Sequence, residues 1–452
     1  MEKIFKEIKQ NPYLKSLRVS WKEGIPASVM LAITDEYLIP LGLFLGASPS
    51  QIGLLVAIPH LLGSFSQFLA SGLVDKLGSR LRFLVGATTW QAVFLIPVAL
   101  LPALVFPSRI GVLIFFVAIF RILMNLIATV WSGLASDYLP PEDRGKYFGW
   151  RSRIVGFAGV GATVFGGILL NAFRDVSTAT GFCILFAMIV AARFMSARLM
   201  SQMQDAPRLK NPGDKFTFLM FLRRVRKSNF VKFTLYVTCI TLTTMLAAPY
   251  FSVYMLQDLK FNYLIYMFVH MGAVVASLVS FPVWGRHADV VGNARVLKTT
   301  SLLIPLIPVL WIFSHNLVYL FLIEIFAGIV WGGFNLCSLN FIYDSVSPGK
   351  RVRCLSYFSF LTGIATFIGA GIGGFLAEKL PRLNGSRILT LFLISGVLRF
   401  LSHFLLSRQF HEVRPSTQRV SSVELFFSVV GIRPLLEKGR EWNLLPFGKK
   451  TS

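Results

Sequence analysis

The strongest constraint on the fold is a series of twelve apolar runs, most of them about 20 residues long or slightly longer. A helix rises 1.5 Å per residue, so such a run crosses the ~30 Å hydrocarbon core of a bilayer. No water reaches that core, and a helix satisfies its own backbone hydrogen bonds there. The runs occupy residues 24–45, 50–73, 83–104, 110–133, 149–171, 179–197, 228–253, 262–284, 296–314, 317–340, 356–378 and 388–407. The sequence therefore predicts an all-α integral membrane protein with twelve transmembrane helices.

The twelve spans form two halves that share sequence features. A short loop pattern after span 2, from Asp75 to Arg80, has a counterpart after span 8, from Gly285 to Arg295. Six further residues recur 207 positions later: Asp137, Pro141, Arg144, Gly156, Gly166 and Gly167 match Asp344, Pro348, Arg351, Gly363, Gly373 and Gly374. Matches in one register predict two six-helix pseudo-repeats, as in transporters built around a central site.

We expect five segments along the chain. They are an N-terminal segment 1–23, a first half 24–197, a central loop 198–227, a second half 228–407 and a tail 408–452. The central loop is basic and contains the turn signal Asn211-Pro212-Gly213-Asp214. In the tail, Val423, Phe426, Phe427 and Val430 share a helical face. The tail is either an amphipathic helix on the bilayer surface or a loosely ordered terminus.

The distribution of charge predicts the orientation. The net charge is +24, with 45 Lys and Arg residues. Only six of these fall in loops assigned to the outside: Arg109, Arg174, Lys260, Lys379, Arg382 and Arg387. This bias follows the positive-inside rule and predicts a multi-pass protein of the cytoplasmic membrane with both termini in the cytoplasm. Because the basic residues belong to membrane loops, they do not indicate nucleic-acid binding.

Several function classes lack a sequence signal. The four cysteines show neither a disulfide framework nor the spacing of zinc ligands. The sequence has no glycine-rich phosphate-binding loop and no cluster of a nucleophile, a base and an orienting acid. We therefore expect no enzymatic activity, no cofactor and no metal.

Residues 20–407 resemble the major facilitator superfamily of secondary transporters, and the loop pattern carries the resemblance. The family's loop reads roughly G-x-x-x-D-R/K-x-G-R-R/K. Asp75, Lys76 and Gly78 fit the first copy, whereas Ser71 stands at the first glycine position. The second copy keeps Gly285, Asp289 and Gly292, with Arg295 one residue beyond the usual reach. The resemblance implies two halves that rock around a midplane site.

The resemblance also implies a cytoplasmic gate. In the family, the loop's acid and base contact neighbouring helix ends, which suggests Asp75 with Arg80 or Arg82 and Asp137, and Asp289 with Arg295 and Asp344. The complete predicted gate is Asp75, Gly78, Arg80, Asp137, Arg144, Gly285, Asp289, Gly292, Arg295, Asp344 and Arg351. The alternative is that these residues act only as topology and folding signals.

Charged residues in the middle of a span are candidates for transport. Each costs ~2.5–3.5 kcal/mol on insertion, so it is retained for a task. They are Asp35 and Glu36 in span 1, Arg121 in span 4, Glu324 in span 10 and Arg399 in span 12. In the family, spans 1, 4, 7 and 10 line the cavity, so the first four are the predicted substrate and proton-coupling residues. Arg399 is expected in a peripheral helix.

The orientation of the acidic pair in span 1 stays open in the sequence. Asp35 and Glu36 are about 100° apart on a helix, so only one is expected to point fully into the cavity. Arg121 is expected to pair with an acid or to bind a substrate anion. A static pair that only fixes helix register is the alternative. His270 in span 8 is expected to be a packing residue rather than a proton relay.

The sequence thus predicts a secondary active transporter that moves a small solute by alternating access, with protons as the expected coupling ion. An uncoupled facilitator, a carrier of lipid-like solutes, and a non-transporting receptor or assembly protein are the alternatives. The expected partners are the solute, protons and the lipid bilayer, without nucleic acid, and a monomer is expected.

Overall fold

The computed structural model describes residues 11–206, 218–223, 228–347, 350–413, 425, 426 and 429. Most of this part is helical. We label the membrane helices α1 (Leu14–Phe44), α2 (Pro49–Leu69), α3 (Arg80–Ala103), α4 (Arg109–Asp137), α5 (Pro141–Ala172), α6 (Thr178–Met200), α7 (Asn229–Asp258), α8 (Tyr263–Val291), α9 (Asn293–Leu303 and Leu306–Leu310), α10 (Leu317–Ser345), α11 (Arg351–Lys379) and α12 (Arg387–Leu406). The predicted fold of two six-helix halves is confirmed.

Two of the membrane helices are interrupted along their length. In α7, the first segment ends at Met245 and the second begins at Ala248. Pro249 lacks an N–H and its ring crowds the carbonyl of Met245, which favours a break at this point. In α9, the break precedes Leu306 at Pro305. Among the described residues, eleven helices are long and apolar enough to span a membrane, and the broken α9 is the twelfth.

Several helices extend beyond the apolar runs at one end of the molecule. That end carries the basic loops, and we call it the inner end. The helix α1 begins at Leu14, before the predicted boundary at residue 24, and α10 continues to Ser345. An apolar run marks only the part of a helix inside the hydrocarbon core, since polar residues continue a helix in water.

The two halves share local geometry as well as sequence. At the inner end, Arg144 Nε donates to the carbonyl oxygen of Leu139 at 3.0 Å. Arg351 Nε donates to the carbonyl oxygen of Val346 at 3.1 Å. Each arginine thus binds the carbonyl five residues before it, on the connection between the fourth and fifth helices of its half. The two predicted gate arginines therefore hold equivalent turns within their own halves.

The halves meet along two seams, α2 against α11 and α5 against α8, and both are tight at the outer end. A Cβ atom on Gly374 of α11 would lie 2.9 Å from Ser50 Cα of α2. A Cβ atom on the equivalent Gly167 of α5 would lie 2.8 Å from Met267 Cβ of α8. Glycine allows this close approach of helices. Ser50 N also donates to Glu378 Oε1 at 3.0 Å across the α2/α11 seam.

The two seams differ towards the inner end. The α2/α11 seam continues inward, because Gly363 contacts Ser64 and the Phe68 and Phe360 ring centroids are 5.2 Å apart. In α5, a Cβ atom on the equivalent Gly156 would meet nothing within 4 Å. The structure is therefore closed between the halves at the outer end and open beside α5 at the inner end.

The start of the tail is bound to the second half. Phe410 is fully buried, with its ring centroid 5.0 Å from that of Tyr236, and His411 N donates to Asn229 Oδ1 at 2.9 Å. Phe426 packs on Phe326 of α10, with ring centroids 5.9 Å apart. Other predictions fall outside the described residues: Pro348, the turn Asn211-Pro212-Gly213-Asp214, and Val423, Phe427 and Val430 of the tail face.

Candidate functional site

A cavity of about 910 Å³ lies inside the second half. It extends from Phe251 and Glu324 near the middle of the membrane to Ile342 and Leu355 near the inner end. Helices α7, α8, α10 and α11 form its walls, together with Arg399 of α12. Its volume is in the range of small-molecule sites, and apolar walls with a few polar groups are typical of them.

One ion pair lies within the first half, between α1 and α4. Arg121 Nη2 is 2.5 Å from Asp35 Oδ1. The Arg121 side chain is 14% exposed and that of Asp35 48%, so the carboxylate is the accessible member. The Arg121 carbonyl oxygen accepts from Asn125 Nδ2 at 3.0 Å, and Asn125 Oδ1 accepts from Gln67 Nε2 at 2.8 Å. These contacts fix the α4 backbone from which the guanidinium extends.

A second group of titratable residues joins the two halves. Glu36 Oε1 of α1 lies 3.6 Å from His270 Nδ1 of α8. Glu324 of α10 is 8% exposed and interacts electrostatically with both of them. The Tyr266 hydroxyl donates to the Glu36 carbonyl oxygen at 3.2 Å. His270 and Glu324 line the cavity, so this group stands beside the space for a solute.

The structure thus separates the two adjacent acids of α1. Asp35 points towards Arg121 in its own half, whereas Glu36 points towards His270 in the other half. This divergence follows from the 100° step between consecutive residues of a helix. Glu36 Oε1 is buried and makes no hydrogen bond in the described structure.

Two residues named in the sequence analysis have surroundings that the sequence did not indicate. His270 contacts Glu36 across the halves, where a packing role was expected; the only sequence signal was a titratable side chain in an apolar span. Arg399 was expected in a peripheral helix, yet it is 1% exposed and lines the cavity. Its position depends on the break in α7, which no feature of α12 itself shows.

The predicted gate residues of the first half form a compact group at the inner end. Arg80 Nη2 lies 2.8 Å from Asp137 Oδ2 and donates to the Ala206 carbonyl oxygen at 2.8 Å. Asp75 lies in the short helix Ala70–Leu77, which ends at Gly78 with a φ of +67°. Asp205 Oδ2 accepts from Ser79 Oγ at 2.5 Å.

The second half has a related group. Asp344 Oδ2 accepts from Asn293 Nδ2 at 2.8 Å, and Ala294 N donates to Glu412 Oε2 at 2.7 Å. Gly292 connects α8 to α9 with a φ of +88° and contacts Glu412. Gly285 and Asp289 lie in the last turns of α8, and Arg295 lies in the first turn of α9.

Two acids outside the predicted gate hold equivalent positions. Asp205 follows α6 and Glu412 follows α12, 207 positions later. Each accepts hydrogen bonds at the start of the third helix of its half. Negative charge at a helix N-terminus is favourable, which explains why an acid occupies both positions.

Comparisons with known proteins agree with this architecture. The model of the Major Facilitator Superfamily matches residues 25–276 and 233–447. Among curated proteins, none has a matching sequence. A crystal structure of a point mutant of the nucleoside transporter NupG has a TM-score of 0.71 at 14% identity, covering 87% of this chain and 100% of that chain.

Two other solved structures have the same fold. The D-xylose-proton symporter has a TM-score of 0.69 at 14% identity, covering 90% of this chain and 100% of that chain. A bacterial homologue of the iron transporter ferroportin, in an inward-facing state, has a TM-score of 0.62 at 15% identity, covering 87% and 99%. Identities this low show the fold alone. Because the family model covers most of the sequence, the chain belongs to the Major Facilitator Superfamily and is a multi-pass membrane transporter rather than an enzyme.

Proposed function

We propose that this chain is a proton-coupled secondary transporter that moves a small solute by alternating access. The observation that supports this most is the meeting of Glu36, His270 and Glu324 across the two halves, beside the cavity. A carboxylate buried in a membrane requires a cation or a proton to offset the lost hydration. Proton transfer within this group therefore changes the attraction between the halves.

Alternating access follows from that attraction. With His270 protonated and Glu36 ionised, the pair attracts α8 to α1 and favours contact between the halves at the outer end. Loss of the His270 proton, or protonation of Glu36, removes the attraction and favours separation of α1 from α8. A proton thus acts as a ligand with different affinities for the two states, as a coupled transporter requires.

The ion pair of the first half adds a place for the solute. Arg121 holds Asp35 by a short contact, and the Asp35 carboxylate is half exposed. A proton on Asp35, or a polar group of the solute that binds this carboxylate, can break the pair, because either competes with the guanidinium for the same oxygen atoms. Asp35, Glu36, Arg121 and Glu324 are therefore the proposed substrate and proton-coupling residues, with His270 added.

The remaining predictions belong to the same proposal. The gate residues of both halves close the inner end in the opposite state, both termini are cytoplasmic, and the membrane is the cytoplasmic membrane. The chain acts as a monomer, with the segments 1–23, 24–197, 198–227, 228–407 and 408–452. A solved structure named a D-xylose-proton symporter shares the fold and supports proton coupling.

The test uses purified protein in liposomes that contain a pH-sensitive dye. Sugars, nucleosides, amino acids, organic anions, cationic drugs and lysolipids are added outside one at a time, and proton movement is recorded. We expect one class to move protons with the wild type. Glu324→Gln resembles the protonated carboxyl, so it should abolish proton movement and retain exchange of labelled solute across the membrane. Asp175→Asn, in an exposed outer loop, is the matched control.

The alternatives give different results. Solute flux without proton movement in the wild type would identify a facilitator. Flux of lysolipids alone would identify a carrier of lipid-like solutes. Binding without any flux would favour a receptor or assembly protein. Unchanged proton coupling in Glu36→Gln, His270→Gln and Glu324→Gln would contradict the proposed coupling site.

A further inference from the structure

Arg399 is a buried cation in the membrane, and its described hydrogen bonds are to neutral groups. Its side chain is 1% exposed, Nε donates to Ser395 Oγ at 3.0 Å, and Nη2 donates to the Thr244 carbonyl oxygen at 3.3 Å. Within the described part of the chain, no carboxylate forms an ion pair with it. A cation in this position is costly, so a counter-charge is expected from elsewhere.

The first half balances a buried cation in the corresponding helix. Arg193 of α6 is buried and lies one residue from the position that matches Arg399 in the 207-residue register. Arg193 Nη1 donates to Ser196 Oγ at 3.1 Å, and Ser196 Oγ donates to Glu23 Oε1 at 2.7 Å. The Glu23 carboxylate of α1 is thus linked to the Arg193 guanidinium through the Ser196 hydroxyl. In the second half, position 230 of α7, which is 207 residues after Glu23, is Phe230.

Unused polar groups line the same cavity as Arg399. Thr244 Oγ1 and Ser338 Oγ are buried without a hydrogen-bond partner in the described structure, and both residues line the cavity. The adjacent Thr243 is different, because its hydroxyl donates to the carbonyl oxygens of Cys239 and Ile240 in its own helix. The orphaned Thr244 hydroxyl therefore belongs to the residue whose carbonyl binds Arg399, and Ser338 adds a further hydroxyl to the same cavity.

The break in α7 brings these groups together. The first segment of α7 ends at Met245, and the carbonyl oxygen of Thr244 in its last turn accepts both from Ala247 N at 3.0 Å and from Arg399 Nη2. The bond to Thr244 uses one of the five N–H groups of the guanidinium, and Ser395 uses another. Arg399 retains N–H groups for a further acceptor on the side that lines the cavity.

We propose that Arg399 and Thr244 form a subsite that binds the anionic group, a carboxylate or a phosphate, of the transported solute. A guanidinium recognises either group with paired N–H donors, and the threonine hydroxyl adds a neutral donor. The apolar remainder of the cavity accommodates the rest of the solute. The proposal of this subsite depends on the proposed function in one respect, which is that the cavity holds the transported solute.

Binding to the full-length protein in detergent tests the subsite. The thermal unfolding midpoint is measured against inorganic phosphate and, separately, benzoate, with chloride holding the ionic strength constant. We expect one of the two to raise the midpoint of the wild type in a saturable manner. Thr244→Val should weaken binding about tenfold, the usual effect of one lost hydrogen bond to a ligand. Arg399→Gln should abolish it, and Thr243→Val should bind as the wild type does.

Three outcomes would overturn the proposal. The first is that neither phosphate nor benzoate stabilises the wild type. The second is that Arg399→Gln lowers the unfolding midpoint but keeps the affinity for the salt, which would make Arg399 only a cap for the broken helix. The third is that Thr244→Val binds the salt as tightly as Thr243→Val does. If Arg399→Gln does not fold, the comparison of Thr244→Val with Thr243→Val still tests whether the subsite binds the anion. Because binding needs no proton movement, a protein that binds but moves no protons would contradict the proposed function alone.

Discussion

Glu23 of α1 is a buried carboxylate that is stabilised by contacts with a few single residues. Its side chain is 3% exposed, it accepts from Ser196, and it lies 3.5 Å from Arg151 Nη2. The Arg151 guanidinium also lies over the Trp131 ring, 4.4 Å from its centroid. The carboxylate offsets the charges of the two buried arginines, Arg151 and Arg193, so its contribution is larger than that of a surface pair.

The first prediction is that Glu23→Gln lowers the free energy of unfolding by about 3 kcal/mol, the lower end for breaking a buried pair. Glutamine retains an oxygen acceptor for the Ser196 hydroxyl. The loss of stability therefore measures the cost of leaving the charges of Arg151 and Arg193 without a carboxylate. Chemical denaturation in micelles measures it. Glu378→Gln, at the exposed outer end of α11, should cost far less. Equal losses in the two variants would contradict this account of Glu23.

At the residue scale, the sequence predicted which side chains are exceptional and that Arg121 pairs with an acid, but not that Asp35 is this acid. A charge inside an apolar run is visible without a structure, which is why Asp35, Glu36, Arg121 and Glu324 were selected. Their contacts depend on how helices distant in the chain pack, and the sequence carries no direct record of that. His270 shows this limit, because its proposed role rests on its contact with Glu36.

At the scale of elements, the acids after α6 and α12 tie the last helix of each half to its third. Glu412 accepts from Ala294 N at the start of α9, and Asp205 accepts from Ser79 Oγ and from Leu81 N at the start of α3. The second prediction is that Glu412→Gln costs about 1 kcal/mol, typical of a lost helix cap. Thermal unfolding of the variant measures this loss of stability. Asp205→Asn should lose a similar amount, and the control Asp175→Asn should have the stability of the wild type.

The third prediction compares the glycines of the two predicted gate loops. Gly78 has a φ of +67° and a ψ of 0°, and an added Cβ would meet nothing within 4 Å. Gly78→Ala should therefore cost about 1 kcal/mol of backbone strain. Gly292 has a φ of +88° and a ψ of 154°, a region nearly restricted to glycine. Its Cβ would also clash with Glu412.

We therefore expect Gly292→Ala to cost more than Gly78→Ala, by about 1–2 kcal/mol, given the strain of its backbone region. Unfolding measurements on both variants, and on Gly292→Ala combined with Glu412→Ala, separate strain from the clash. If removal of the Glu412 side chain restores nothing, the clash makes no contribution. If both single variants cost the same, the assignment of extra strain to Gly292 is wrong.

Helices were the best-predicted elements. Hydropathy alone gave twelve spans, because the bilayer demands about 20 apolar residues per crossing. The breaks were not predicted, although Pro249 and Pro305 are visible in the sequence, because prolines also occur inside intact helices: α8 accommodates Pro282 and α3 accommodates Pro97. Packing around a proline decides whether the helix bends or stops.

For the whole molecule, the sequence predicted the duplication but not the difference between the seams. Gly156 and Gly363 are equivalent in the repeat, yet only Gly363 is packed against the other half. Identical residues at matched positions cannot specify which seam is closed in one state. If the halves rock, the contacts at the outer end between α2 and α11 must break during each cycle.

The fourth prediction is that a covalent link at the outer end stops transport. Ser50 of α2 and Glu378 of α11 are in contact across the halves, and both are replaced by cysteine in a protein whose four native free cysteines are replaced by alanine. Joining them with a short, reducible bifunctional thiol reagent should abolish solute-driven proton movement, and reduction should restore it.

A control pair, Ser16→Cys with Gln204→Cys, lies within the first half, where Gln204 N donates to Ser16 Oγ at 2.8 Å. Linking that pair should leave transport intact, because no contact between the halves is involved. Persistent transport in the outer-linked protein would mean that the solute passes without separation of the outer ends, and alternating access would then be wrong for this chain.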